Sequence, residues 1–477
     1  MKKKYYYLSF LFVLGFTTLF AQNKVTISGK VKNAKQDTIK VIWYGNFDVT
    51  YRYQAIVNKK GDFSLSFPFE DFKVVELRFA GKEDYQLFVK ANDVIELSYD
   101  RKKPVETFNI KSQRQDEVEI HKSLNKIFPY GPPNIALSEK DDEKKYKHKL
   151  DSAYSVYEKF YIKEKKDKKI SQEFDIYFTS DLKYRRAKTL IDFPFVYEYF
   201  FKTKLQNISD DYYNFLDNTV NNTDSLLSVS SYMYFSDVLL QNAVSSLRKY
   251  QKNNKTNYET NVKMIDILFT DKLKEYHLAK AITNSLQYSS WKEAEGNYFQ
   301  YMQQNPQNPH NELVKKTYTE KKRFAAGQTA FNFSLKDANG KLVSLQDFKG
   351  KVVYLDVWAS WCVPCIIEMK SAKELKSKVT ELGLDNEIVF LYVSLDESKE
   401  NWVAAIKKHE IKGIHLSCQG DFTKIESYME DEFSKQYGVK GVPSYYLIDR
   451  EGKFTDSNSP RPSSPETIEL IKKLVEK

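Results

Sequence analysis

Residues 358–365 read WASWCVPC and hold two of the three cysteines in the chain. Two cysteines with two residues between them serve as a working disulfide, as an inert clip, or as half of a metal site. The flanking residues narrow the choice. KVVYLDVW, residues 351–358, is a near-continuous apolar run, the pattern of a buried strand. A helical pattern follows, so Cys362 and Cys365 open a helix. Their i, i+3 spacing puts both sulfurs on one side, near the short Cα separation a disulfide needs. The free N–H groups and positive dipole of the helix start favour a thiolate at Cys362. Pro364 suits a first turn, where a missing N–H costs little. A thiolate is the species that attacks disulfides, so the stretch reads as a site for exchange.

The competing jobs fit less well. A zinc site takes about four ligands. Only His415 and Cys418 could join the pair, and no second CxxC or HxxxH exists, so no metal is expected. A structural CxxC clip closes a tiny loop and removes little unfolded-state entropy. No other cofactor is implied. Cys418, in GIHLSCQG, is the odd thiol and reads as a small buried hydrophobe.

Further out, composition sets the frame. The chain has 477 residues, more than one ordinary core holds; at roughly 100–200 residues per domain it should contain about three. Hydrophobic residues make up 41% and aromatics 15%, which excludes a globally disordered chain. The N-terminus has the layout of a secretory signal peptide. Lys2, Lys3 and Lys4 precede an apolar stretch from Tyr5 to Phe20, and Ala21 offers a small residue for cleavage. The alternative, an uncleaved anchor, falls short of the roughly 20 apolar residues a spanning helix wants. Export to the periplasm, with cleavage after Ala21, is the expectation. An exported protein with three cysteines must fold by burial, not as a disulfide scaffold. The formal charge is +10, of which the three leader lysines supply 3, leaving +7. The densest basic run, KEKKDKK at 163–169, reads as a solvated helix face. No nucleic-acid motif accompanies it, so no nucleic-acid partner is expected.

Three textures follow one another. Residues 22–105 read as an all-β sandwich: VTISGKV, IKVIWY, FSLSF, VVELRF and VIELSY alternate apolar and polar residues between turn signals at 58–62, 80–84 and 91–93. Residues 106–322 read as an α-helical middle domain. Leu150, Ala153, Tyr154, Tyr157, Phe160 and Tyr161 share one helical face, as do Leu240, Ala243, Val244, Leu247 and Tyr250. Breakers stand at 130–134 and 305–311. Residues 323–477 read as α/β: a hairpin about Asn339-Gly340, the buried strand, the helix, a second buried strand at 388–396, a helix, a hairpin in SYYLIDREGKF turning at Asp449–Gly452, and a last helix in PETIELIKKLVEK. That order makes a mixed sheet covered by helices.

DVWASWCVPC, Asp356 to Cys365, resembles the active site of the thioredoxin superfamily. With the hairpin and GVPSYYLIDREGKF, residues 325–477 resemble the exported thiol–disulfide oxidoreductases of the TlpA/ResA kind. Residues 24–105 resemble a β-domain of unknown function that precedes such domains in exported proteins of Bacteroidetes-type bacteria. The resemblance implies a thioredoxin-like fold for 323–477. It makes Cys362 the nucleophile and Cys365 the resolving thiol. Asp356 becomes the buried acid that takes and returns the resolving proton. Pro443 matches the cis-proline that faces the disulfide, and Val442 offers backbone groups to an extended peptide. Trp361 and Pro364 shape the docking surface, while Trp358 serves equally as core. Two positions qualify the match. Lys370 stands where the family often has a kinking proline, so the helix should run straight. Glu368 matches a glutamate common in the TlpA-like group, or is a solvated helix charge. Val363-Pro364 lacks the His of strong oxidants, which points to a reductant. The implied partners are disulfide-containing periplasmic proteins and a membrane thiol electron donor. Two other readings stand beside it. One is a thiol peroxidase, although WASWC lacks the Pro and Thr/Ser that precede a peroxidatic cysteine. The other is an envelope binding or scaffold protein with an accessory redox domain.

Overall fold

The computed structural model describes residues 23–476 apart from 36, 46, 48–49, 71, 80–82, 129–134, 206–207, 218, 220–222, 252–257, 420–430 and 457. The expected leader with its cleavage point after Ala21 and the 130–134 breaker lie outside the described residues. The chain divides into two compact units between residues 254 and 255.

The first unit opens with β1 (Lys24–Lys32), β2 (Thr38–Tyr44), β3 (Thr50–Ile56), β4 (Asp62–Pro68), β5 (Phe72–Phe79), β6 (Glu83–Lys90) and β7 (Val94–Asp100). After the single turn α1 (Pro104–Thr107) comes β8 (Asn109–Ser112). Two four-stranded sheets form, ordered β4-β1-β7-β8 and β3-β2-β5-β6. Alternation puts Val25, Ile27, Leu65 and Leu97 of one sheet against Val41, Val75, Leu77 and Leu87 of the other, in a shared core. Trp43 of β2 reaches Phe67 of β4 with ring centroids 5.4 Å apart. β8 closes the first sheet from within the stretch expected to be helical. Four residues with one buried apolar position, Ile110, make a strand that only its pairing with β7 reveals.

Helices α2 (Gln115–Ile127), α3 (Glu143–Lys165), α4 (Gln172–Phe201) and α5 (Ser230–Gln251) complete this unit. Asp142 and Ser171 cap α3 and α4 by accepting backbone N–H groups of Lys145 and Phe174. The expected face of α3 is the packed one: Leu150 and Tyr154 join Leu190, Phe193 and Tyr197 of α4. On α5, Leu240 and Val244 are buried.

The second unit begins with α6 (Tyr258–Leu268), α7 (Asp271–Tyr288), α8 (Trp291–Gln304) and α9 (Asn311–Lys322). The 305–311 breaker is pinned by its own amides: Asn308 Nδ2 donates to Glu275 O and Asn311 Nδ2 to Asn305 O, both at 2.9 Å. Then follow β9 (Ser334–Asp337), β10 (Leu342–Ser344), β11 (Val352–Trp358), α10 (Val363–Glu381), β12 (Ile388–Ser394), α11 (Lys399–His409), β13 (Ile414–Ser417), α12 (Glu432–Gln436), β14 (Ser444–Ile448) and α13 (Pro465–Val475). The six strands form one sheet, ordered β10-β9-β13-β12-β11-β14. β11, β12 and β13 are parallel; β14 runs antiparallel to β11. The β9–β10 turn uses Gly340 at φ +84°, a conformation glycine adopts without strain.

Every residue of β11 is buried, as its unbroken apolar run requires. Val352 and Tyr354 pack with Leu375 and Val379 of α10 and Ile471 of α13. Val353, Leu355 and Val357 face the other way, toward Trp402 of α11 and Tyr437. By the two-residue period, Asp356 shares the α10 face.

Two elements differ from expectation. β13 lies in GIHLSCQG, where His415 and Ser417 interrupt the apolar pattern; pairing with β12 and β9 makes it a strand. The far arm of the SYYLIDREGKF hairpin is no strand. It is held at an isolated bridge, Ile448 to Phe454, flanked by Asp449 N to Lys453 O at 2.9 Å and Thr455 N to Leu447 O at 3.0 Å, while Phe454 N on the outer edge donates to Gln328 O at 2.8 Å.

Candidate active site

β11 ends at Trp358, and four residues later Cys362 caps α10. The Cys365 backbone N–H donates to Cys362 Sγ at 3.2 Å, so the first turn of the helix points a donor at the leading sulfur. Pro364 occupies that turn, where no N–H is needed. Cys362 and Cys365 are joined by a disulfide with their Cα atoms 5.3 Å apart. Cys365 is fully buried and Cys362 keeps 4% of its surface. Trp361 and Val363 stand out on either side, exposed by 56% and 69%. Trp358 is core.

Asp356 lies on β11, two residues before its end. It is not a strand-edge residue: β12 and β14 flank it, with Tyr392 and Tyr445 as its register partners. Its Oδ1 is buried without a hydrogen-bond partner. Burial pushes the carboxyl up to about 8; the Lys376 ammonium works against this and the Glu368 carboxylate adds to it. Lys376 comes from α10. Its Nζ lies 4.7 Å from the Tyr392 ring centroid and 5.0 Å from that of Phe390, and it donates to Lys412 O. Burial lowers the Lys376 ammonium to about 8, with the Asp356 charge opposing and Lys412 adding.

Glu368 is not a solvated helix charge. It is buried, and accepts from Ser463 N at 3.1 Å and Ser463 Oγ at 2.9 Å. Arg461 Nη1 stands 3.9 Å from it. α10 runs unbroken through Lys370.

The Val442–Pro443 peptide is cis. It precedes β14, whose Ser444 pairs with Val357, so the peptide sits beside the end of β11 where the cysteine loop begins. Val442 packs against the core that contains both cysteines.

A further group had no motif to announce it. Asp396, just past β12, accepts from Ser360 N at 2.9 Å, Ser360 Oγ at 2.5 Å and Ser394 Oγ at 2.7 Å. This buried carboxylate clamps the loop between β11 and Cys362. Its signal was an SLD triplet ending an apolar strand, too common to single out. His415 Nε2 lies 2.8 Å from Ile411 O, and burial holds its ring down to about 4. The Cys418 thiol is in the core, where burial first and Asp431 second push its pKa above the usual thiol range. Among the described residues no group of three or more His, Cys, Asp or Glu is placed to hold a metal ion.

Residues 325–470 match the Redoxin family model. Thiol-disulfide oxidoreductase ResA of Bacillus thuringiensis subsp. konkukian is 32% identical over 162 residues, covering 34% of this chain and 86% of the relative. The protein belongs to this family of thiol–disulfide oxidoreductases. ResA of Geobacillus thermodenitrificans is 34% identical over 136 residues, 28% of this chain and 70% of that one. A solved thiol–disulfide oxidoreductase from Bacteroides fragilis is 28% identical, covers 30% of this chain and 99% of its own, and has a TM-score of 0.25. The protein is thus a thioredoxin-like oxidoreductase in its C-terminal part, and disulfide-containing proteins are the substrate class that goes with the family.

Proposed function

We propose that this oxidoreductase is exported, with its leader removed after Ala21, and reduces disulfides of periplasmic proteins through Cys362 and Cys365. The observation that carries the reading is the Cys362–Cys365 disulfide at the start of α10, just past the strand that carries the buried Asp356 and next to the Val442–Pro443 peptide. In the dithiol form, Cys362 is the nucleophile, its thiolate favoured by the Cys365 N–H. It attacks one sulfur of a substrate disulfide. A Cys362–substrate bond forms, the substrate S–S bond breaks, and the departing thiolate takes a proton. Cys365 then gives its proton to the ionised fraction of Asp356 and attacks Cys362 Sγ. The mixed disulfide breaks and the second substrate thiolate leaves with the proton Asp356 returns. The balance is one substrate disulfide reduced to two thiols and one enzyme dithiol oxidised. A membrane thiol donor restores the dithiol.

A carboxyl held near 8 suits that exchange of a proton near neutral pH. Val442 presents backbone groups to the substrate chain next to Pro443, and Trp361 and Pro364 shape the surface around the sulfur. The division into a sandwich at 22–105, a helical part at 106–322 and the redox part at 323–477 belongs to the same proposal. The test is capture. Full-length chain carrying Cys365→Ser, expressed with its leader, should accumulate periplasmic proteins as mixed disulfides on Cys362. No trapped protein, together with a wild type unable to reduce a generic protein disulfide, would leave the binding-protein reading in its place. A reduction potential near about −120 mV, that of a strong oxidant, would reverse the direction.

A further inference from the structure

A cleft of about 330 Å³ opens beside Pro443, between the ends of α7 and α9 and the start of β14. Its floor is aromatic: Phe324, Tyr437, Tyr445 and Tyr446 line it. Its charged residues are all cations, Lys321, Lys440 and Arg461, and among the described residues no Asp or Glu lines it. Two of the three have distant partners. Lys440 Nζ is 3.8 Å from Glu320 and Arg461 Nη1 is 3.9 Å from Glu368; the two cations are more than half exposed, while Glu368 is buried. The exposed Lys440–Glu320 pair at that reach holds its cation weakly, and Arg461 is the cation turned toward a buried acid. Lys321 has no hydrogen-bond or ion-pair partner among the described residues, although it is half-buried. Burial and the neighbouring Lys440 charge hold its ammonium down to about 8, with the Glu320 carboxylate opposing.

The helices that supply Lys321 and Tyr288 are tied to the loops of the redox sheet. Asn458 Nδ2 donates to Tyr288 O at 2.7 Å, and Trp291 N to Asp456 Oδ1 at 2.9 Å. Arg323 Nη2 donates to Gln436 O at 3.4 Å. The cleft is therefore a built feature of one unit. Because Pro443 is part of its wall, a chain lying along Val442 runs into it.

We propose that this cleft is a substrate subsite that receives an acidic residue near the substrate cysteine, its carboxylate set between Lys321 and Lys440. A carboxylate there would remove the two costs Lys321 carries, an unpartnered half-buried charge and a like charge beside it. The aromatic floor would cover the apolar part of the same side chain. The exchange itself takes place at the sulfurs, so Lys321 of α9 and Lys440 of the loop before β14 would confer the selectivity. The inference deepens the proposed reductase reading and rests on it.

The experiment uses reduced full-length protein and two synthetic peptides, each with one internal disulfide, identical except that the cysteines are flanked by Asp and Glu or by Lys. The ratio of the two kcat/KM values within one protein does not depend on how much of it is folded. The wild type should favour the acidic peptide by roughly fivefold, the scale of a partly exposed ion pair. Lys321→Gln should bring the ratio close to one, and Lys321→Glu should invert it. A wild-type ratio near one, or a ratio unchanged in both variants, overturns the inference. The neutral 2-hydroxyethyl disulfide separates the two readings. If it is reduced while the peptide ratio is near one, only the subsite fails. If it and both peptides are left intact, the reductase reading fails and the subsite with it.

Discussion

Asp356→Asn tests the buried carboxyl directly. Below pH 3.8 the group is protonated whether the chain is folded or not, and its raised pKa has no effect on stability. Between 3.8 and about 8 the unfolded chain releases the proton while the folded protein keeps it. Stability is therefore full at low pH and is lost as pH rises toward the folded pKa. Each pH unit in that window is worth about 1.4 kcal/mol. The separation corresponds to roughly 5–6 kcal/mol at pH 8, and water reaching the new carboxylate reduces this to ~3–5 kcal/mol. Asparagine keeps the shape and cannot ionise. Its amide adds an offset that does not vary with pH, so the slope decides. Urea unfolding of the oxidised full-length chain at pH 4.5, 6, 7 and 8 gives the slope. Tryptophan fluorescence reports mainly on the second unit, which holds Trp291, Trp358, Trp361 and Trp402 of the five tryptophans. Stability of the variant relative to wild type should rise steadily across the series. A difference that stays constant from pH 4.5 to 8 would refute the raised pKa and, with it, the fitness of Asp356 to hold a proton at neutral pH.

Other perturbations follow the same contacts. Lys376→Met removes the cation that opposes the rise at Asp356, so the carboxyl should move up further; the pH profile of disulfide reduction, measured by stopped flow, should shift alkaline, and an unmoved profile would uncouple the two. Asp396→Ala leaves Ser360 N–H and two hydroxyls without their acceptor, at a cost of about 1–3 kcal/mol read from the urea midpoint; a loss below about 0.5 kcal/mol would show that the clamp is replaced by water. Trp402→Ala, in the core beneath β11 and β12, should destabilise by about 3–5 kcal/mol, and a much smaller loss would mean that the α11 face repacks.

The sequence by itself determined where the cysteine pair stands. A strand buried on both faces, followed at once by CxxC and a helix, dictates where the sulfurs stand and which one meets the helix N-terminus. The alternating stretches before residue 105 and the single-faced helix at 143–165 were equally legible, because a periodic pattern is local information. What lacked a local pattern needed the tertiary structure. β8 and β13 are four-residue strands whose hydrogen bonds come entirely from distant partners. Glu368 resembles any helix charge until Ser463, 95 residues on, supplies two donors to it. Asp396, Lys376 and the cationic cleft beside Pro443 are assembled from segments far apart in the chain. Desolvation, which raises Asp356 and lowers Lys321, belongs to the packed environment and to no residue alone. Chemistry written into adjacent residues could be read from their order; proton affinity and substrate fit arise from burial and apposition, which only the fold creates.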